Sequence, residues 1–251
     1  KKCLKCNSSK IDMKGYGTQQ IEEQIKSFFP KARVDRMDWD TTRGKYSVDK
    51  ILEKFENSQI DVLIGTQMIT KGLDFKKIGL VGVINADNIL FFPNFRANEK
   101  AFQILTQVAG RAGRGEKPGR VLIQTNNPHH HSLLTAQLQD YASFVNQELP
   151  LRERFRQPPF MSLASVLCIS RDEHRAKDLA LSLRQNLRSN GEGQVICQGP
   201  AEAPIRRINH RFRWQVLIKA SSAGLIRKIF KKSLLGPEPL ICSREENIIL
   251  D

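Results

Sequence analysis

The sequence predicts an α/β fold in two parts, a doubly wound parallel-sheet lobe followed by a small α+β domain of split βαβ type. Three observations carry this. Two compact apolar runs, Asp61–Gly65 (DVLIG) and Ile78–Asn85 (IGLVGVIN), read as parallel strands covered on both faces. Helix-like and strand-like stretches alternate as far as Thr125, the pattern of a parallel sheet with crossover helices. After Pro158-Pro159 the order changes to β-α-β-β-α-β.

Taken in order, Thr18–Phe29 has helical spacing, with Ile21, Ile25, Phe28 and Phe29 as its apolar positions, and Pro30 closes it. Ala32–Asp38 is a short strand, Thr41–Tyr46 a polar connection, and Val48–Phe55 a second helix. A loop rich in Phe and Asn leads to a helix over Ala97–Arg111, and Gly119–Thr125 is the next strand. Ser132–Arg156 reads as helical and increasingly charged until the two prolines stop it. Beyond the prolines the strands are Leu163–Ser170, Gln194–Gln198, Arg213–Ala220 and Asn247–Leu250, with helices at Asp172–Arg188 and Leu225–Leu234. The domains are therefore expected at 1–14, 15–157 and 158–251.

The 251 residues carry 40 Lys and Arg against 26 Asp and Glu, a formal charge of +14. The excess is spread along the chain, with 22 basic against 16 acidic residues up to Pro150 and 18 against 10 thereafter. Such a charge points to anionic partners, nucleic acid first among them. No apolar run approaches the ~18 residues of a membrane span, and the polar start of the sequence reads as no signal peptide. Five cysteines do not suggest a disulfide framework, and Cys168, Cys197 and Cys242 stand singly among apolar residues as buried thiols. The expected compartment is a reducing cytoplasm.

The densest chemical signal is Thr106–Arg114, TQVAGRAGR. Glycine inside a helix costs about 1 kcal/mol against alanine, so Gly110 and Gly113 call for a reason. Gln107, Gly110, Arg111 and Arg114 fall at i, i+3, i+4 and i+7, one helical face bearing an amide and two guanidiniums. That face suits a phosphate chain. Forty residues earlier, Ile64–Phe75 (IGTQMITKGLDF) follows the strand 61–65, at the strand end where ligands gather in parallel sheets. There Thr66 and Gln67 offer polar donors, Gly72 permits close approach, and Asp74 could accept from a sugar hydroxyl.

Together these two motifs resemble motifs V and VI of superfamily-two helicases, in the order found in their second RecA-like lobe. The resemblance narrows with Gly17-Thr18-Gln19, Asp38-Trp-Asp-Thr-Thr42, GTQM-x-x-KG-x-x-F, QVAGRAGR followed by G-x-V-x-x-QT, and Gln157-Pro-Pro-Phe160. The whole set is similar to the PriA family of bacterial replication-restart helicases, from the second lobe through the C-terminal domain. It implies that Arg111 and Arg114 reach the phosphates of ATP, bound with Mg between two lobes, with Gln107 and Gly110 beside them. It also implies that Thr18 and Thr66 follow a DNA backbone. Forked or single-stranded DNA, single-stranded-DNA-binding protein, other primosome proteins and the replicative helicase loader are the implied partners. No G-x-x-x-x-G-K-[ST] phosphate loop occurs in the sequence, so ATP hydrolysis is not expected of this stretch by itself.

Cys3 and Cys6 form C-x-x-C, half of a four-cysteine zinc site. The resemblance makes them the last pair of a zinc cluster whose other cysteines are absent from this sequence. His129-His130-His131 lies in an Asn/Pro loop and is read as a helix start. Asp172 imitates part of a DExH box but sits after the arginine motif, and is read as a helix cap. Arg206, Arg207, His210, Arg211 and Arg213, with Phe212 and Trp214, form a basic cluster able to grip phosphates. Trp214 itself alternates with Val216 and is expected in the core. The alternative function is a non-catalytic nucleic-acid-binding or scaffold protein built on a helicase lobe.

Overall fold

The computed structural model describes residues 17–38, 47–66, 78–110, 119–235 and 246–250. These fall into two compact units. The first takes the described residues up to Asn88 and Lys100–Gln139, and the second takes Ile89–Glu99 and everything from Asp140 onward.

The chain begins with α1 (Thr18–Phe28), β1 (Val34–Met37), α2 (Ser47–Glu56) and β2 (Val62–Gly65). Strands β1 and β2 pair in parallel from Val34 opposite Val62 to Met37 opposite Gly65. Helix α1 packs on both strands and α2 on β1. The register is pinned at its start: Asp61 accepts from the Arg33 backbone N–H at 2.8 Å, from Nε at 3.0 Å and from Nη2 at 2.6 Å. The Arg33 contacts hold the Asp61 carboxyl down at about 2. Phe28 and Phe29 depart from the expected apolar face. Ile21 and Ile25 are half-buried, but Phe28, the last helical residue, is 74% exposed, and Phe29 has left helical geometry (φ −128°, ψ 73°) and is 59% exposed.

Strands β3 (Leu80–Val83) and β4 (Arg120–Ile123) form a second parallel pair, Leu80 opposite Arg120 and Val83 opposite Ile123. Among the described residues the expected covering of both faces is not found here. Leu80 and Leu122 are 59% and 61% exposed, while Val81, Val83, Val121 and Ile123 point to the more buried side. Alternation of this kind marks a pair covered on one face. Between the two strands lie α3 (Asp87–Leu90) and α4 (Ala97–Ala109), and α5 (His131–Gln137) follows β4. Asp87 ties the end of β4 to the start of α3, accepting from the Thr125 hydroxyl, the Asn126 N–H and the Asn127 amide. These donors hold its carboxyl below the usual range.

The helical stretch 132–156 is broken in two, α5 and α6 (Tyr141–Arg154). Gln139 takes a left-handed φ of 54°, and Asp140 caps the new helix by accepting from the Ser143 N–H at 2.9 Å. Helix α6 ends at Arg154, before the cis Pro158-Pro159 bond.

The rest of the second unit is β5 (Ser162–Ser170), α7 (Glu173–Gly191), β6 (Val195–Ile208), β7 (Arg211–Ala220), α8 (Ala223–Leu235) and β8 (Asn247–Leu250). The sheet is antiparallel in the order β6-β7-β5-β8, as the split βαβ pattern predicts. Its core face carries Val166, Cys168, Cys197, Val216 and Ile218, which pack with Leu179, Leu183 and Leu187 of α7 and Ile226 and Ile229 of α8. Cys168 and Cys197 are buried free thiols as expected, and Cys242 lies outside the described residues. Asp172 caps α7 by accepting from the Arg175 N–H at 3.1 Å. The opposite sheet face holds Lys219, 7% exposed, whose ammonium donates to the Phe155 carbonyl at the end of α6 at 2.7 Å. Burial, with Arg156 nearby, lowers its pKa.

Strand β6 runs ten residues past the predicted Gln198, crossing Gly199-Pro200 with two irregularities in its pairing with β7. As an edge strand it tolerates Pro200 and Pro204. Gly199 sits at φ +98°, and a Cβ there would stand 2.8 Å from the Gln215 carbonyl oxygen. Gly193 is also left-handed (φ +80°) but faces open space. Gly199→Ala should therefore destabilise the second unit by roughly 2–4 kcal/mol and Gly193→Ala by only about 1, in urea unfolding monitored by Trp214 fluorescence in a Trp39→Phe background. Equal losses would refute this reading.

The Arg33–Asp61 pair makes a pH prediction. A carboxyl depressed in the folded state stabilises above its unfolded value, 3.8, and that contribution disappears as pH falls through about 2. Asp61→Asn should remove this part of the acid dependence while leaving the rest of the curve intact. The size should be small, since both side chains are exposed.

Candidate nucleic-acid interface

The carboxyl end of the β1–β2 pair is where the structure gathers the described lobe residues. Met37 is paired with Gly65, so Asp38 and Thr66 emerge side by side at that end. Thr18, the first residue of α1, donates its hydroxyl to Asp38 Oδ2 at 2.6 Å. Arg36 Nε stands 3.2 Å from the same Asp38 oxygen and 3.6 Å from Glu22 Oε2. Gly17, the N-cap of α1, supplies no side-chain cap to the first turn. Thus Thr18 and Thr66 share one strand end, the position where ligands bind in open parallel sheets. Asp38 is 7% exposed and organises this corner. Sequence reading included it in a motif without giving it a role; a carboxylate directly after a strand was the available signal.

On α4 the buried positions are Ala97, Ala101, Phe102, Leu105 and Val108, which leaves Gln107 exposed on another face. Among the described residues a Cβ at Gly110 would meet the Thr106 and Gln107 carbonyls at 3.5 and 3.6 Å, ordinary contacts that do not themselves demand glycine. Arg111, Arg114, Gln67, Gly72, Asp74, Cys3 and Cys6 lie outside the described residues. Among the described residues no group of three or more His, Cys, Asp or Glu could hold a metal ion. The His triplet is a helix start, as read: His130 Nδ1 accepts from the Ser132 N–H at 3.3 Å and stacks on His131.

The basic cluster occupies the tip of the β6–β7 hairpin. Asn209 and His210 form its two-residue turn, both left-handed (φ 49° and 61°), the conformation such tight hairpins require. Arg207 is exposed and stands over the Phe212 ring at 4.7 Å. Arg206 reaches the same ring at 5.8 Å, but its Nη2 also donates to both oxygens of Glu173 on α7, at 2.5 and 2.8 Å. Glu202 lies 3.6 Å from its Nε, and these carboxylates raise its pKa. Arg213 donates to the Ile205 carbonyl at 3.4 Å. Arg211 Nη1 donates to Asn247 at 2.8 Å when that amide is turned to satisfy both its ends. Trp214 packs against the core as expected, under Lys177 at 5.5 Å, its buried Nε1 without an acceptor among the described residues.

Two family profiles match the sequence. "Helicase conserved C-terminal domain" covers residues 7–116, and "Primosomal protein N C-terminal domain" covers residues 153–245. Proteins named replication restart protein PriA align along most of the chain. The Bacillus subtilis protein is 42% identical over 92% of this chain, and the Synechocystis protein 41% over 88%. That of Borreliella burgdorferi is 34% identical over 92%. The chain belongs to the PriA family. It spans about a third of the length of these relatives, 29%, 27% and 35% respectively. Its first unit is accordingly a RecA-like helicase lobe. No helix among the described residues is long and apolar enough to cross a membrane.

The Glu173 contact makes a testable distinction within the hairpin. An exposed ion pair is worth about 0–1 kcal/mol, so a phosphate can compete for Arg206. Glu173→Gln should strengthen DNA binding and steepen the fall of log K with log salt by up to about one unit. An unchanged slope in Glu173→Gln, measured by fluorescence anisotropy over a salt series, would mean Arg206 never reaches DNA.

Proposed function

We propose that this chain is the second helicase lobe and C-terminal domain of an ATP-dependent DNA helicase that binds stalled replication forks and starts primosome assembly. The observation that carries this is the meeting of Thr18, Asp38 and Thr66 at the carboxyl end of a parallel strand pair, in a chain of the PriA family. In the longer protein another lobe supplies the phosphate loop and magnesium-binding carboxylates. Arg111 and Arg114 stabilise the charge that develops on the transferred phosphoryl group, Gln107 orients nearby groups, and Gly110 leaves room for close approach. Gly72 and Asp74 line the nucleotide side, and Thr18, Thr66 and Gln67 hold the DNA backbone. Closure on ATP and release after hydrolysis step these contacts along the strand. Arg206, Arg207, Arg211 and Arg213 grip phosphates without reading sequence.

The same reading assigns single-stranded-DNA-binding protein, other primosome proteins and the replicative helicase loader as partners, and the cytoplasm as location. Cys3 and Cys6 would supply half of a structural zinc site completed by cysteines outside this chain.

The test uses both this chain and a protein that includes the phosphate-loop lobe. The chain alone should hydrolyse no ATP. In the longer protein Arg111→Ala or Arg114→Ala should lower DNA-stimulated turnover by about 10³-fold or more while DNA affinity holds. Wild-type turnover in either variant would remove the assigned role, and ATP hydrolysis by the isolated chain, lost in Arg114→Ala, would overturn the division of labour.

A further inference from the structure

A second basic and aromatic surface lies in the C-terminal unit, away from the hairpin cluster in sequence. The segment 91–96 (FFPNFR) turns back on itself, with the Asn94 N–H donating to the Phe92 carbonyl at 2.7 Å. It is tied to α6: Arg152 stands over the Phe95 ring at 5.6 Å and donates to Glu99 at 3.0 Å, and Asn98 donates to Glu148 at 2.9 Å. Glu148 and Glu99 thereby occupy Arg152, which is largely buried. This network places segment 91–96 beside the last turns of α6. Phe91, Phe92 and Phe155 are 59%, 49% and 56% exposed there.

The charges around these rings favour an anion. Arg96 lies over Phe95 at 5.3 Å and Arg154 over Phe155 at 5.9 Å. Arg96, Arg154 and Arg156 are exposed and pair with no carboxylate among the described residues, and Glu153 is the exposed acid next to Arg154 in sequence. Exposed rings interleaved with unpaired guanidiniums provide the two things a single strand needs, faces for its bases and counter-charge for its phosphates. A duplex offers no free base faces, so such a surface discriminates against it. Exposed rings of this size gathered on one unit mark an interaction site, and the arginines select its occupant.

We propose that segment 91–96 and the end of α6 form a stacking platform for single-stranded DNA, separate from the hairpin arginines. This rests on the DNA-binding reading above. Stacking and phosphate contacts separate in salt, because stacking releases no counterions.

The experiment titrates the 251-residue chain with labelled oligothymidylate and with a duplex of equal length over a salt series. Phe92→Ala and Phe155→Ala should each weaken oligothymidylate binding by roughly five- to tenfold, leaving the salt slope and the duplex affinity unchanged. Phe92→Trp should restore binding. Phe92 lies in an exposed loop, so its variants report even if Phe155→Ala disturbs α6. Wild-type single-strand affinity in the Phe92→Ala/Phe155→Ala chain overturns the platform and leaves the hairpin reading intact; such a patch would then serve a protein partner. Equal losses on duplex and single strand overturn it too. A parent chain that binds neither DNA at low salt sinks both readings.

Discussion

Three hydrogen bonds from Arg33 to Asp61 set the register of β1 against β2, and what the first unit offers a ligand follows from that register. The fork closes on a single carboxylate at the start of both strands. Four residues on, Met37 meets Gly65, and Asp38 and Thr66 leave the sheet together. A slip of one residue would turn one strand's side chains to the opposite face and carry Asp38 away from Thr66. The Arg33–Asp61 contact is exposed and weak in energy; its contribution is to specify one alignment among several of similar stability.

The charge excess behaves differently in different places. Arg36 faces Asp38 and Glu22, Arg152 faces Glu148 and Glu99, Arg175 faces Glu246, and Arg206 faces Glu173. These arginines are committed to the fold to degrees that follow their burial. Arg152, 11% exposed, is held in a network that an incoming phosphate cannot enter without leaving Glu148 unpaired and buried. Arg206, 53% exposed, can exchange partners at small cost. The formal charge of +14 thus overstates the anion-binding surface, and burial decides which part of it is available.

Much of this was legible in the sequence. Apolar runs located β2 and β3, the alternating order gave the parallel pairs, and the order after the prolines gave the antiparallel sheet with its two helices. Legibility failed where a local signal contradicted a tertiary one. Gly199-Pro200 and Pro204 read as the end of a strand, yet β6 continues through them because its outer edge needs no partner. The helix after Ser132 looked continuous because nothing in Leu138-Gln-Asp140 announces the left-handed Gln139. Covering is a property of neighbours, so neither the open faces of Leu80 and Leu122 nor the exposure of Phe28 could be read from their own segments. At the candidate site, Thr18 and Thr66 were found by motif, but their meeting around Asp38 needed the fold. The internal carboxylate on Arg206 needed it too, since Glu173 is 33 residues away in sequence.

The Lys219 ammonium has a consequence for how the second unit opens. It has left water for a single carbonyl, that of Phe155, where α6 ends. If the end of α6 lifted off the sheet by itself, water would reach both the ammonium and the carbonyl and replace their hydrogen bond, so the burial that lowers the lysine's pKa would be relieved and only the shielding packing lost. The end of α6 and strand β7 are thus joined by a contact that water can take over: amide protons in the last turn of the helix should exchange with solvent faster than those of the central sheet.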